Sequence, residues 1–201
     1  MKLGYMVALA AASVLSAQAV EAQTTIASNT GTSNTAVQNF FLGQSFTVAA
    51  GTSYNNISYA FQSIIGANTA TGNLYLFSTS YGGTPGDLAT TTANRIAVAT
   101  SANQIFTFAP TVTLTGGANG TQYYAYTEAR QGMVGYTTDV YAGGSAASAS
   151  NGAYSNAPTQ DFRFTVTGVA VVPEPAVWGL MILGFGIVGG LARRRRVAAL
   201  A

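Results

Sequence analysis

The sequence predicts an all-β fold, an antiparallel β-sandwich of the jelly-roll kind, and three observations carry that expectation. Short runs alternate apolar and polar residues with a period of two, as half-buried strands do. Those runs are rich in Thr, Val, Ile, Tyr and Phe, which suit a pleated, half-buried surface. Clusters of Gly, Asn, Asp and Ser separate them, and no stretch of the central chain has a convincing 3.6-residue apolar period.

Residues 44–48 place Phe46 and Val48 on one face. Residues 73–77 set Leu74 and Leu76 against Tyr75 and Phe77. Residues 104–108, 111–115, 122–127 and 134–138 continue the pattern. Residues 162–167 alternate strictly, with Phe162, Phe164 and Val166 together. Turn clusters stand at 51–53, 66–68, 82–87, 116–120 and 143–145. Residues 89–100 are ambiguous, but their threonines disfavour a helix. Residues 142–160 are small and polar and read as a long flexible loop. This spacing suggests about eight or nine short strands.

Both ends read as segments outside this fold. Lys2 precedes an apolar stretch over residues 7–15, and small residues follow at Ala17, Ala19 and Ala22. That is the order of a secretory signal peptide, placed at 1–22 with cleavage after Ala19 or Ala22. Near the other end, residues 176–192 carry no charge and are followed by Arg193, Arg194, Arg195 and Arg196. Seventeen residues span about 25 Å as a helix, at the short edge of what crosses a bilayer. Arginines beside a span stay on the cytoplasmic side, so 197–201 reads as a cytoplasmic tail and the rest as exported. Pro173 and Pro175 hold the chain extended ahead of the span, and Trp178 suits the membrane interface.

Pro173-Glu174-Pro175, Trp178, the Leu183-Gly184-Phe185-Gly186 stretch and the arginine cluster occur in that order. Together they resemble the PEP-CTERM sorting signal of Gram-negative bacteria, over residues 173–196. In the variant that this tail is similar to, alanine commonly follows the tryptophan; here Gly179 stands there. The resemblance implies an exosortase, a membrane transpeptidase-like enzyme, as processing partner acting at Pro173-Glu174-Pro175. It also implies a link to exopolysaccharide and the cell surface. More loosely, Gly43-Gln44-Ser45-Phe46, Leu74-Tyr75-Leu76 and the turn over 82–88 resemble the β-sandwich ectodomains that bacteria attach to interchangeable surface anchors.

The exported part, residues 23–172, has the length of one domain. Its charges are Arg95, Arg130 and Arg163 against Asp87, Glu128, Asp139 and Asp161; three against four leaves a net −1. The whole-chain +2 is a property of the tail, and no basic patch for nucleic acid exists. Histidine and cysteine are absent, which removes Ser-His-Asp and Cys-His catalysis, His- or Cys-ligated zinc and any disulfide framework.

A glycosidase-type carboxylate pair among Asp87, Glu128, Asp139 and Asp161 is the remaining catalytic option. The plainer reading makes Asp87 a turn cap after Pro85-Gly86, and Glu128 and Arg130 solvated strand-end charges. Asp139 or Asp161 could contribute to calcium, but no loop has the ligand density of a calcium motif. No catalytic residue, metal or cofactor is therefore expected. Tyr75, Tyr81, Tyr123, Tyr124, Tyr126, Tyr136, Tyr141 and Tyr154 are either stacking surfaces for sugar rings or half-buried strand residues.

The expectation is a non-enzymatic protein, made as a single-pass inner-membrane precursor with a periplasmic ectodomain and passed to the cell surface or extracellular matrix. There it would be a structural or adhesive component of an exopolysaccharide biofilm. A carbohydrate-binding module is the first alternative, and a polysaccharide-degrading enzyme the second.

Overall fold

The computed structural model describes residues 22–171, together with 179 and 182–186. Ala19, Pro173, Glu174, Pro175, Trp178, the arginines 193–196 and most of the span at 176–192 lie outside the described residues. The described chain is all-β and antiparallel, as the alternation predicts.

The strands are short. In order they are β1 (Gln23–Asn29), β2 (Thr35–Val37), β3 (Phe41–Val48), β4 (Ser53–Gln62), β5 (Asn68–Thr69) and β6 (Asn73–Phe77). After a 3₁₀ turn at Pro85–Asp87 come β7 (Arg95–Ala102), β8 (Ile105–Thr107), β9 (Leu114–Thr115), β10 (Thr121–Thr127) and β11 (Val134–Thr138). The series closes with β12 (Ala146–Ala149), β13 (Ser155–Ala157), β14 (Gln160–Phe162) and β15 (Phe164–Ala170).

Two separate facing sheets are not what forms. A 12-stranded sheet runs β1-β15-β4-β8-β7-β6-β10-β3-β12-β13, with β5 and β9 both pairing with β4, and a three-stranded sheet runs β14-β11-β2. The long sheet curls through β8 and β7, so that β4 and β3 face one another across the core although five strand spacings would separate them in a flat sheet. Tyr59 on β4 shows this. Its ring lies 6.1 Å from Phe46 of β3 and stacks at 5.8 Å and 9° on Phe164 of β15. Aromatic pairs of this kind add to the area that they bury.

Three expectations need correction. The run 162–167 is not one strand. Arg163 divides it, donating its N–H to Gly135 in the small sheet while its carbonyl accepts from Gln62 in the long one. Phe162, Phe164 and Val166 are still all buried, because the two sheets share one core. Gly135 permits the switch: a Cβ there would sit 2.7 Å from Cδ of Arg163.

The segment 142–160 is not a flexible loop either. Its alanines build β12, where Ala146, Ala147 and Ala149 are buried against β3. Small side chains fit because Gly43 brings the strands close; a Cβ at Gly43 would lie 3.2 Å from that of Ala147 and 2.5 Å from the Tyr126 ring. Finally, β4 and β1 were not foreseen as strands. β4 is the central one, paired with β15 and β8.

A second apolar cluster lies outside the first. Tyr75, Phe77, Tyr126, Ala147, Ala149 and Tyr154 bury the outer face of β6, β10 and β12 under the segments around Tyr81 and Leu88. Tyr126 and Tyr154 meet edge-on at 4.8 Å. Most of the tyrosines therefore pack in or against the core, and apart from that of Tyr59, which has no partner, the buried hydroxyls are satisfied locally. That of Tyr123 both donates to and accepts from Thr115, and that of Tyr154 donates to the Thr127 carbonyl.

Phe164→Ala removes a ring with no exposure at the centre of the core. Such truncations cost about 3–5 kcal/mol, a large share of the roughly 5–15 kcal/mol that holds a domain together. Circular dichroism melting should show a drop of many degrees for Phe164→Ala. Thr165→Ala, which loses the 2.9 Å hydrogen bond from Gln62, should fall far less. Equal losses would contradict this packing.

Burial raises the phenols of Tyr59, Tyr126 and Tyr154 above their usual value of 10.0. The unfolded chain thus releases these protons first as pH rises. Their contribution to stability is complete below about pH 10 and is lost on the way up to the folded-state values. Melting temperature should decline above about pH 10, with the absorbance change of the buried phenols appearing together with unfolding. Ionisation of every tyrosine, the buried Tyr59, Tyr126 and Tyr154 included, in a chain that keeps its β spectrum would contradict it.

Candidate functional site

The sorting segment grows directly out of the folded body. β15 is paired on both sides, with β1 and with β4. After its last residue, Ala170, the N–H of Val171 still donates to the Ser53 carbonyl at 2.8 Å. Pro173 stands two residues further on. The other end is brought alongside, since Gln23 pairs with Val169 in the antiparallel β1–β15 ladder. Ala22, one of the two proposed cleavage positions, is exposed just ahead of it.

Among the described residues no helix is long and apolar enough to cross a membrane. Gly179 and residues 182–186 are helical and exposed. Within them Ile182, Leu183 and Phe185 are 71%, 61% and 73% exposed.

The four acids of the ectodomain do not share an environment. Asp87 is exposed on its 3₁₀ turn, where its carboxylate accepts from Thr84 Oγ1 at 2.8 Å and its carbonyl from Thr90 and Thr91. Glu128 follows β10 and accepts from Asn73 Nδ2 and the Tyr75 hydroxyl. Burial and that hydrogen bond raise the Tyr75 phenol. Asp139 is exposed, and Asp161 is completely buried. The Asp161 carboxylate takes Gln44 Nε2 at 2.9 Å on Oδ1, and the N–H groups of Val140 and Tyr141 at 3.2 and 2.9 Å on Oδ2. Both oxygens are thus committed to neutral donors. Among the described residues, no three His, Cys, Asp or Glu side chains gather as a metal site requires.

Two of the surface depressions bear on recognition. One, of about 170 Å³, lies on the outer face of β10, β3 and β12, where Gln44, Ser45, Ser80, Gln122, Tyr124 and Asn156 reach it. Of the eight tyrosines singled out in the sequence, Tyr124 is the half-buried one in this groove, and its hydroxyl donates to Gln122 Oε1 at 2.6 Å. The other, of about 300 Å³, is bounded by Phe41, Thr84, Gly86, Arg130, Asn151 and Gly152. Arg130 lies over the Phe41 ring, 4.7 Å from its centroid. Sequence patterning did not single out Phe41, Asn151 or Gly152, because the pocket joins segments about a hundred residues apart.

Residues 171–196 match the family model described as the PEP-CTERM protein-sorting motif, so the match begins two residues before the expected segment. No curated protein and no solved structure matches the chain. The motif is the recognition signal of an exosortase, and it indicates a membrane-anchored precursor processed for surface export. The chain carries a PEP-CTERM protein-sorting motif at residues 171–196 and is, by that motif, an exosortase-sorted surface protein.

Proposed function

We propose that this protein is a non-enzymatic structural or adhesive component of an exopolysaccharide matrix. The observation that carries the reading is the sorting motif joined, with no linker, to a strand paired on both sides. Residues 1–22 act as the signal peptide. Residues 176–192 hold the precursor in the inner membrane as a single span, with 23–172 in the periplasm and 197–201 in the cytoplasm. Exosortase recognises Pro173, Glu174, Pro175 and Trp178 and separates the ectodomain from its anchor. The ectodomain then reaches the cell surface or the extracellular matrix.

The composition suits that role. Seven charged side chains in residues 23–172 leave a surface of hydroxyls and amides, which hydrogen-bonds to a polysaccharide as readily as to water. A second reading, a carbohydrate-binding module, is favoured by the Tyr124 groove and the Arg130 pocket. A binding screen of the full chain against neutral and acidic polysaccharides separates the two readings.

Processing gives the direct test. Intact-mass measurement of the surface form should find a chain ending close to residues 173–175. Substituting Pro173 and Pro175 with alanine should leave a membrane-bound precursor that still carries its arginines. Full-length tails on released wild-type protein would overturn the proposal.

Topology gives a further test. The span is at the short edge for a bilayer, so the arginines should set its orientation and halt translocation. Replacing Arg193, Arg194, Arg195 and Arg196 with serine should release the domain into the periplasm or scramble its retention. Unchanged anchoring on fractionation would argue against a positive-inside anchor.

A further inference from the structure

We infer that the pocket at Arg130 is a binding site for a carboxylated sugar, such as a uronate unit of an acidic polysaccharide. The inference rests on the carbohydrate-binding reading and assigns its site. The described ectodomain holds three arginines. Arg163 is buried, with Nη1 on the carbonyls of Ser63 and Ile64. Arg95 lies over the Tyr75 ring and donates to the carbonyls of Leu88 and Ala89. Arg130 is the one that borders an open pocket.

Arg130 is fixed but not neutralised. Nη1 donates to the Asn39 carbonyl, and Nη2 donates to the Ser150 carbonyl and to Asn151 Oδ1. The flat face rests on Phe41. All of these partners are uncharged, so the full positive charge stays with the side chain. A guanidinium has five N–H donors, and these contacts employ three, which leaves donors for a carboxylate. Because the fork is already held in place, little side-chain entropy is lost on binding.

The surroundings suit a sugar. At about 300 Å³ the pocket is at the small end of ligand sites, the scale of one ring and not of an extended chain. The Thr84 hydroxyl, the Asn151 amide and the backbone at Gly86 and Gly152 offer partners to ring hydroxyls. Asp87 is the nearest acid in sequence to this wall; its carboxylate accepts from Thr84 Oγ1, and it does not line the pocket.

The pocket also lies at the end of the domain remote from Val171, where the tail leaves β15. β3 runs from Phe41 at the pocket to Val48, seven residue steps or about 23 Å. Just beyond Val48 comes the turn that leads to Ser53, whose carbonyl holds Val171 at the root of the tail. Arg130 therefore lies at the opposite end of β3 from the root of the tail at Val171.

The test uses the full chain in detergent micelles, titrated with oligogalacturonate, with dextran as the neutral glycan and inorganic phosphate as a second anion. Oligogalacturonate should bind, and raising the salt to ~0.5 M should weaken it, because exposed charge pairs are screened. Arg130→Gln should weaken it by about tenfold or more, the usual effect of losing a charge-assisted hydrogen bond. Gly152→Glu is an independent variant. A Cβ there meets nothing within 4 Å, so the fold has room for it while a carboxylate enters the pocket rim. It should weaken binding comparably.

Oligogalacturonate binding unchanged in both variants would overturn this site while leaving the carbohydrate-binding reading in place. Equal binding of dextran would overturn the selectivity for acid. Phosphate competing at the same concentration as galacturonate would reduce the pocket to a simple anion site and overturn the sugar assignment. No glycan bound by the wild-type chain would overturn both this inference and the reading on which it rests.

Discussion

The fold turns on one buried carboxylate. Asp161 sits at the join between the small sheet and the curled one, with no exposure and no cation on it. An ionised carboxylate in such a place is tolerated only if strong donors replace its water. Gln44 from β3 supplies one, and the N–H groups of Val140 and Tyr141 supply two more. Gln44 also accepts from the Phe162 N–H, so one amide bridges β3 and β14 in both directions. Asn29 extends the bridge to β1 through Thr137 Oγ1 and the Phe162 carbonyl. The polar contacts therefore fix the orientation of the three-stranded sheet against the core, which apolar contact alone would leave free to slide.

That registration decides where the chain can carry load and where it can meet a ligand. With the small sheet fixed, Arg163 can switch between sheets and send β15 down between β1 and β4. The tail is then rooted in a strand held by two ladders, and a pull on it is resisted by many hydrogen bonds at once. The same geometry puts the entry at Gln23 beside Val169 and leaves the opposite end to the Arg130 pocket. The root of the tail at Val171 and the cation of Arg130 thus stand at opposite ends of the described domain.

The tyrosines show how a compositional hint changes meaning in three dimensions. Their number leaves open an aromatic recognition surface or a set of half-buried strand residues; Tyr59, Tyr75, Tyr123, Tyr126 and Tyr154 are buried, and most are tied by hydroxyl hydrogen bonds. A chain without cysteine and nearly without salt bridges to draw on holds itself with aromatic area and neutral hydrogen bonds. Tyrosine supplies both. The residues left for recognition are few, and one of them, Arg130, is a charge that looked like a solvated strand end in the sequence.

The sequence alone determined what is encoded locally. Period-two alternation and glycine-rich turns specified strands, and the ordered tail of Pro-Glu-Pro, apolar run and arginines specified the sorting motif, because each signal is complete within a few consecutive residues. Strands over 73–77 and 134–138 were legible to the residue for that reason. Tertiary structure alone decided which strands pair, that the long sheet curls over the core beside a three-stranded one, that Arg163 divides a perfect alternation, and that the alanines of 146–149 form a strand. Those outcomes depend on partners far away in the chain. Ala146 is buried because Gln44 lies opposite it, and Phe41, Arg130 and Asn151 become one pocket only after β3, β10 and β12 have aligned. Alternation states that a face will be covered; only the assembled chain states by what.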